Sequence, residues 1–157
     1  MKKKISVLIN NKIKKFNKSI YVESDKSISH RSLLIASQCI GISNLYNILQ
    51  SEDVENTVKC LKKLGVKIIK NNKKYIVYGN GLGSFKKPKD NSLYAGNSGT
   101  LARMIISLLA TEGNFKVKIF GDSSLNKRDM SRIIEPLSKI GCNFFPKNKK
   151  TLPIIVE

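Results

Sequence analysis

Three short stretches of this sequence gather groups suited to holding anions. In Ser24-Asp25-Lys26-Ser27-Ile28-Ser29-His30-Arg31, two cations and several hydroxyls stand where an extended segment hands over to a helix. The first N–H groups of a helix have no acceptor within it and carry partial positive charge, which favours a negative ligand. Lys26 neutralises, the serine hydroxyls orient, and Arg31 can fork onto two oxygens. Ala95-Gly96-Asn97-Ser98-Gly99-Thr100, followed by Arg103, repeats the arrangement. Its glycines admit a ligand close to the backbone, and Asn97 and Thr100 add donors. Gly121 to Asp129 is a polar loop carrying Lys127 and Arg128 before another helix, and Arg128 is placed to reach a phosphate. Each stretch also has a plainer explanation: a capped helix start, a tight loop that needs glycine, an exposed loop with ordinary charges.

His30 is the one histidine. It is an acid/base candidate by residue type, and equally a partly packed, solvated residue beside Arg31. With no second histidine and no cysteine nearby in sequence, it points to no metal site. Acidic residues are few, and no pair of them lies near the basic stretches in sequence. The chain therefore shows equipment for binding phosphate and no evident general base.

The elements that position these stretches follow from periodicity. Ile5 to Ile9 and Ser19 to Glu23 read as strands. Ser27 to Cys39 reads as a helix capped by Ser27 or Ser29, with Gly41 just past its end. Ser43 to Ile48 reads as a strand. Ser51 to Leu64 reads as an amphipathic helix, with Val54, Val58, Leu61 and Leu64 at helical spacing and Gly65 as terminator. Val66 to Ile69 and Tyr75 to Tyr78 form a hairpin around Asn71-Asn72. Then come a strand at Leu93 to Ala95, a helix at Thr100 to Ala110, a strand at Lys116 to Phe120, and a helix at Arg128 to Ile140 stopped by Gly141. Phe144-Phe145 and Ile154 to Val156 supply the last strands.

The order repeats. Arg31 matches Arg103, and Asp53, Val54, Leu61, Leu64 and Gly65 match Asp129, Met130, Leu137, Ile140 and Gly141. The fold class is α/β (α+β), built from two β-α-β-α-β-β units at about 23–80 and 91–157, preceded by N-terminal strands in 1–22. Two helix starts with cationic neighbours, one per unit, give two anion sites in one domain.

A chain of 157 residues is long enough for one real core. Its formal charge of +18 raises the alternative of a basic RNA-binding module. The positive charge is nearly all lysine spread along the chain, with only four arginines, which reads as solvated surface. The absence of a stacking aromatic pattern also disfavours RNA. Three cysteines without a CxxC spacing read as structural thiols in a reducing compartment. The apolar stretch after the basic start is too short for a signal peptide or a membrane span. A cytoplasmic location is the default.

Together the three stretches resemble the EPSP synthase family. The family pattern Pro-Gly-(Ser/Asp)-Lys-Ser-Ile-Ser-His-Arg is similar to Glu23 to Arg31. Gly-Asn-(Ser/Ala)-Gly-Thr-x-x-Arg is matched by Gly96 to Arg103, and Gly-Asp-x-Ser-Leu-x-Lys-Arg-Pro-Met resembles Gly121 to Met130. Ser51-Glu52-Asp53-Val54 also resembles the family's segment before its second helix. The resemblance covers nearly the whole chain in family order. It implies transfer of the enolpyruvyl group of phosphoenolpyruvate to the 5-hydroxyl of shikimate 3-phosphate, on the way to chorismate and the aromatic amino acids. No metal or organic cofactor, no membrane and no nucleic acid is implied, and the full-length family member is a monomer.

The resemblance also implies roles. Lys26, Ser27 and Arg31 match residues that hold shikimate 3-phosphate, and Lys26 also faces phosphoenolpyruvate as the catalytic position. Asn97, Gly99 and Arg128 match the phosphoenolpyruvate side, which Thr100 and Arg103 line or support. The chain would be an N-terminal part, with residues 1–22 packing with the second domain and 23–157 forming part of the first. It would be inactive without the second half, where the family's acid/base carboxylates and further arginines lie. The departures are Glu23-Ser24 in place of Pro-Gly, and Asp129 in place of proline beside Arg128, where an acid would lower the positive potential. A transferase of the same fold acting on a UDP-sugar is the near alternative, against which Ser-Ile-Ser-His-Arg argues.

Overall fold

The computed structural model describes residues 8, 10, 15, 17 and 19–157, apart from 73, 113 and 114. The expected strand at Ile5 to Ile9 lies outside the described residues. The two repeats emerge as two units that share one hydrophobic core. The first comprises helix α1 (Lys26–Gln38), strand β1 (Ile40–Leu45), helix α2 (Glu52–Lys63) and strands β2 (Lys67–Asn71) and β3 (Lys74–Asn80). The second comprises β4 (Ser92–Tyr94), α3 (Gly99–Leu109), β5 (Val117–Phe120), α4 (Ser131–Lys139), β6 (Phe144–Phe145) and β7 (Ile154–Val156).

The sheets repeat as well. The second unit orders its strands β4-β5-β7-β6, with β4 parallel to β5 and the other pairs antiparallel. The first unit orders its strands β1-β3-β2, all antiparallel. Thus β1, β3 and β2 correspond to β5, β7 and β6, and the counterpart of β4 is missing from the ladder. That place is where Ser19 to Glu23 is expected as a strand. In the structure these residues are irregular, and Ile20, Tyr21 and Val22 are exposed. A strand exists only by pairing, and these residues make no bonds to β1.

Helix boundaries follow local chemistry. Asp25, not Ser27 or Ser29, caps α1: its Oδ1 accepts the Ile28 N–H at 2.7 Å. Ser51 caps α2, as its place before the amphipathic run predicts. After α2 and α4, Gly65 (φ 89°) and Gly141 (φ 102°) take the left-handed turn that ends each helix. The strand after α1 begins at Ile40, earlier than expected, and irregular backbone takes over at Tyr46.

The expected helix at Arg128 to Ile140 is shorter than its pattern. A 3-10 turn covers Leu125–Lys127, Arg128 is extended, and α4 begins only at Ser131. The Asp129 carboxylate takes the Ser131 N–H at 2.7 Å and its hydroxyl at 2.9 Å, which fixes that start. Extension at Arg128 sends its side chain to the second repeat's glycine loop.

Candidate active site

Each unit presents a helix start with two unused backbone donors. At α3, the Ser98 hydroxyl accepts from Leu101 N and the Ser98 carbonyl from Ala102 N, leaving the N–H groups of Gly99 and Thr100 without acceptors among the described residues. At α1, Asp25 engages Ile28 N and Ser29 N in the same way, leaving those of Lys26 and Ser27. The two starts differ in charge. The α1 start already carries the Asp25 carboxylate, whereas the α3 cap is neutral.

The α3 start is ringed by guanidinium groups. A Cβ built on Gly99 would lie 2.9 Å from Arg103 Nη1 and 3.3 Å from Arg128 Nη1, so both arginines converge on this glycine. Neither is ion-paired with a carboxylate among the described residues. Arg103 donates to the Asp129 carbonyl oxygen at 3.1 Å, its Nε is buried without a partner, and Arg128 donates to Asn97 Oδ1. Asn97 in turn donates to Asp122 at 2.6 Å. The Leu125 N–H and the Asn97 amide hold the Asp122 carboxyl below its ordinary range. Two guanidinium groups with no direct carboxylate partner among the described residues, beside free N–H donors, have the chemistry to hold an anion.

The loop is tightly held. Ala95 N donates to Phe120 O at 2.8 Å, and Asp122 N donates to Gly96 O at 2.9 Å. A Cβ on Gly121 would sit 2.5 Å from that Gly96 oxygen, so glycine is required there for the two loops to touch.

At α1, Lys26 Nζ pairs with Asp53 Oδ2 at 2.8 Å, with the lysine side chain half exposed. Such a pair stabilises by about 0–1 kcal/mol, so little free energy holds Lys26 to Asp53. Arg31 bends its Nε back to the Ser27 carbonyl at 3.2 Å and is exposed. Lys26 and Arg128 are joined by a continuous path of contacts. It runs from Asp53 through Thr57 and His30 to Ser98, and through the neighbouring Asn97 to Arg128. No contact ties the Arg31 guanidinium to that path. The helix starts form an open surface, since Lys26, Arg31, Asn97 and Arg128 are all exposed. Clefts among the described residues lie elsewhere, one of about 470 Å³ between α4 and the last hairpin and another between α1 and α3.

One reading from residue type is corrected here. His30 is not a solvated residue: it is fully buried, with both ring nitrogens engaged. Carboxylates distant in sequence join these stretches, because folding brings Asp53 to Lys26 and Asp122 to Asn97 across 27 and 25 residues. The repeat carried a faint sign of the first, since Asp53 and Asp129 occupy matching places. Asp129 turns its carboxylate to Ser131. Its carboxyl, held low mainly by the Ser131 N–H and hydroxyl, has Lys150 and Arg132 as its cationic neighbours. Of the thiols, Cys39 is exposed, while burial pushes that of Cys60 up to about 12.

Duplicated β-α-β-α-β-β units with cationic helix starts define the class, an α/β protein of repeated units. Comparison with known proteins gives this class its family. The sequence profile of EPSP synthase (3-phosphoshikimate 1-carboxyvinyltransferase) matches residues 10–157. The 3-phosphoshikimate 1-carboxyvinyltransferase of Oenococcus oeni is 44% identical over 140 residues, which are 89% of this chain and 32% of that protein. The enzyme of the same name from Desulforamulus reducens is 40% identical over 96% of this chain and 35% of its own length. The solved structure of EPSP synthase from Acinetobacter baumannii superposes with a TM-score of 0.80 at 33% identity, covering 87% of this chain and 31% of that one. The chain belongs to the EPSP synthase family, and it spans about a third of the length of these relatives.

Proposed function

We propose that this chain supplies part of the site that transfers the enolpyruvyl group of phosphoenolpyruvate to the 5-hydroxyl of shikimate 3-phosphate, giving EPSP and phosphate. The observation that carries the proposal is the convergence of Arg103 and Arg128 on Gly99 at the α3 start, with no ion-paired carboxylate for either among the described residues. In this reading the phosphoenolpyruvate anion lies across that start, held by Asn97, Gly99, Thr100, Arg103 and Arg128. Shikimate 3-phosphate lies by the α1 start, held by Ser27, Arg31 and Lys26 after Lys26 leaves Asp53. Lys26 stands between the two, and its single positive charge lowers the repulsion of two polyanions as they approach.

The reaction adds the 5-hydroxyl oxygen to the central carbon of phosphoenolpyruvate while the methylene carbon takes a proton. Loss of phosphate, with a proton from the methyl group so formed, then restores the double bond. Charge developing on the leaving phosphate is met by donors already in place at the α3 start, so little reorganisation accompanies the step. In this reading the work is done in the cytoplasm, and residues 1–22 pair with a second domain.

Calorimetric titration of the purified chain tests the reading. Phosphoenolpyruvate is expected to bind, and Arg128→Ala to weaken it at least tenfold, as loss of a charge-assisted contact worth about 1.5–3 kcal/mol requires. Turnover by the chain alone is expected to be negligible. No phosphoenolpyruvate binding, or measurable turnover without the rest of the protein, would overturn the proposal.

A further inference from the structure

His30 has no place in the chemistry above, yet it is completely buried where α1, α2 and the glycine loop of the second unit meet. Its Nδ1 lies 2.6 Å from Thr57 Oγ1 on α2, and its Nε2 lies 3.2 Å from Ser98 Oγ, the cap of α3. Ring distances alone do not say which nitrogen carries the proton, but the neighbours do. The Thr57 hydroxyl has the Asp53 carbonyl as acceptor at 3.3 Å. Thr57 Oγ1 therefore offers Nδ1 a lone pair. The Ser98 oxygen already accepts from Leu101 N at 3.2 Å, and its own proton has His30 Nε2 as acceptor. A proton on Nδ1 and none on Nε2 satisfies every group. The other tautomer leaves the Ser98 proton without an acceptor in a buried site, which costs about 1–3 kcal/mol.

We propose that His30 is a positioning residue: as the neutral Nδ1–H tautomer it ties the Lys26 turn of the first unit to the Ser98 cap of the second, and so sets where the Gly99 and Thr100 donors stand. The link is the one path of hydrogen bonds described above that crosses between the two helix starts. A cation at His30 would place a donor on Nε2 and displace the Ser98 proton. Asp53 and Lys26, facing the ring from α2 and α1, act on it in opposite senses, and burial dominates in keeping it neutral. The proposal rests on the reading that the α3 start receives phosphoenolpyruvate.

A chain with one histidine makes the test direct. With ¹⁵N-histidine, the ring is expected to show a protonated Nδ1 and a bare Nε2, unchanged through the range around pH 6.5 where an exposed imidazole titrates. A protonated Nε2 in the folded chain at neutral pH overturns the proposal. Two substitutions then separate the contacts. His30→Gln can keep a polar group at the Nε2 position toward Ser98, while His30→Asn reaches only the Thr57 side. His30→Asn is expected to weaken phosphoenolpyruvate binding severalfold to about tenfold, the worth of one hydrogen bond, and to shift the Gly99 and Thr100 amide resonances. His30→Gln is expected to restore both in part. Equal affinity and unmoved amides in folded His30→Asn would overturn the idea. If the histidine variants do not fold, Ser98→Ala replaces them, with the same expected loss and the same overturning result. If the unaltered chain binds no phosphoenolpyruvate, the functional reading fails on its own, and the tautomer and amide shifts still decide the role of His30.

Discussion

Gly99 shows how one missing carbon can shape a binding surface. It opens α3 with ordinary helical geometry, so alanine fits its backbone there. The added methyl would meet only the flexible ends of Arg103 and Arg128. Gly99→Ala is therefore expected to leave stability within about 1 kcal/mol while weakening phosphoenolpyruvate binding about tenfold, because both guanidinium groups must withdraw. Parallel urea denaturation and calorimetric titration check both halves. His30 gives the matching acid-side expectation. Burial holds its pKa below the ordinary 6.5. The unfolded chain thus takes up a proton that the native chain refuses. Its contribution to stability is present above pH 6.5 and declines as the pH falls below that value. In the His30→Gln variant this part of the slope should vanish from the stability–pH curve.

At the scale of elements, the close passage of β3 beneath α1 sets the first unit's geometry. A Cβ on Gly79 would lie 2.2 Å from the Cys39 carbonyl oxygen and 2.4 Å from that of Ala36, both backbone atoms that cannot swing aside. Gly79→Ala is expected to destabilise the chain by about 2–3 kcal/mol, read from the urea midpoint. Most of these elements were legible in the residues, because Val54, Val58, Leu61 and Leu64 or Leu101, Ile105 and Leu109 announce helices by spacing alone. The duplicated order was legible too, since it rests on matched residues. The start of α4 was not, because the apolar pattern is blind to the Asp129 side chain competing for Ser131. Nor were the partners of Lys26, Asn97 and His30, which lie 27, 25 and 68 residues away and meet only after the units pack. The anion-binding character of the helix starts could be read locally; their coupling could not.

The whole molecule is dominated by its charge. A balance of +18 on 157 residues means that most lysines face no carboxylate, and the ion pairs among the described residues engage only five of them. Mutual repulsion of this kind opposes the compact state and is screened within about 10 Å at 0.1 M salt. Added sodium chloride is therefore expected to raise the melting temperature, as a thermal scan at increasing salt would show. A falling midpoint would mean that the five pairs outweigh the repulsion. Association with RNA, if detected, should vanish steeply over the same salt series, whereas binding at the α3 start should survive. The rim of the first sheet carries a different consequence. Ile40 and Ile42 stand 91% and 62% exposed on β1, whose outer backbone groups meet no neighbour among the described residues. Such a bare margin is a template for accretion of other extended chains. Concentrated solutions are thus expected to build β-rich aggregates from this margin, and a lysine in place of Ile42 should slow their growth.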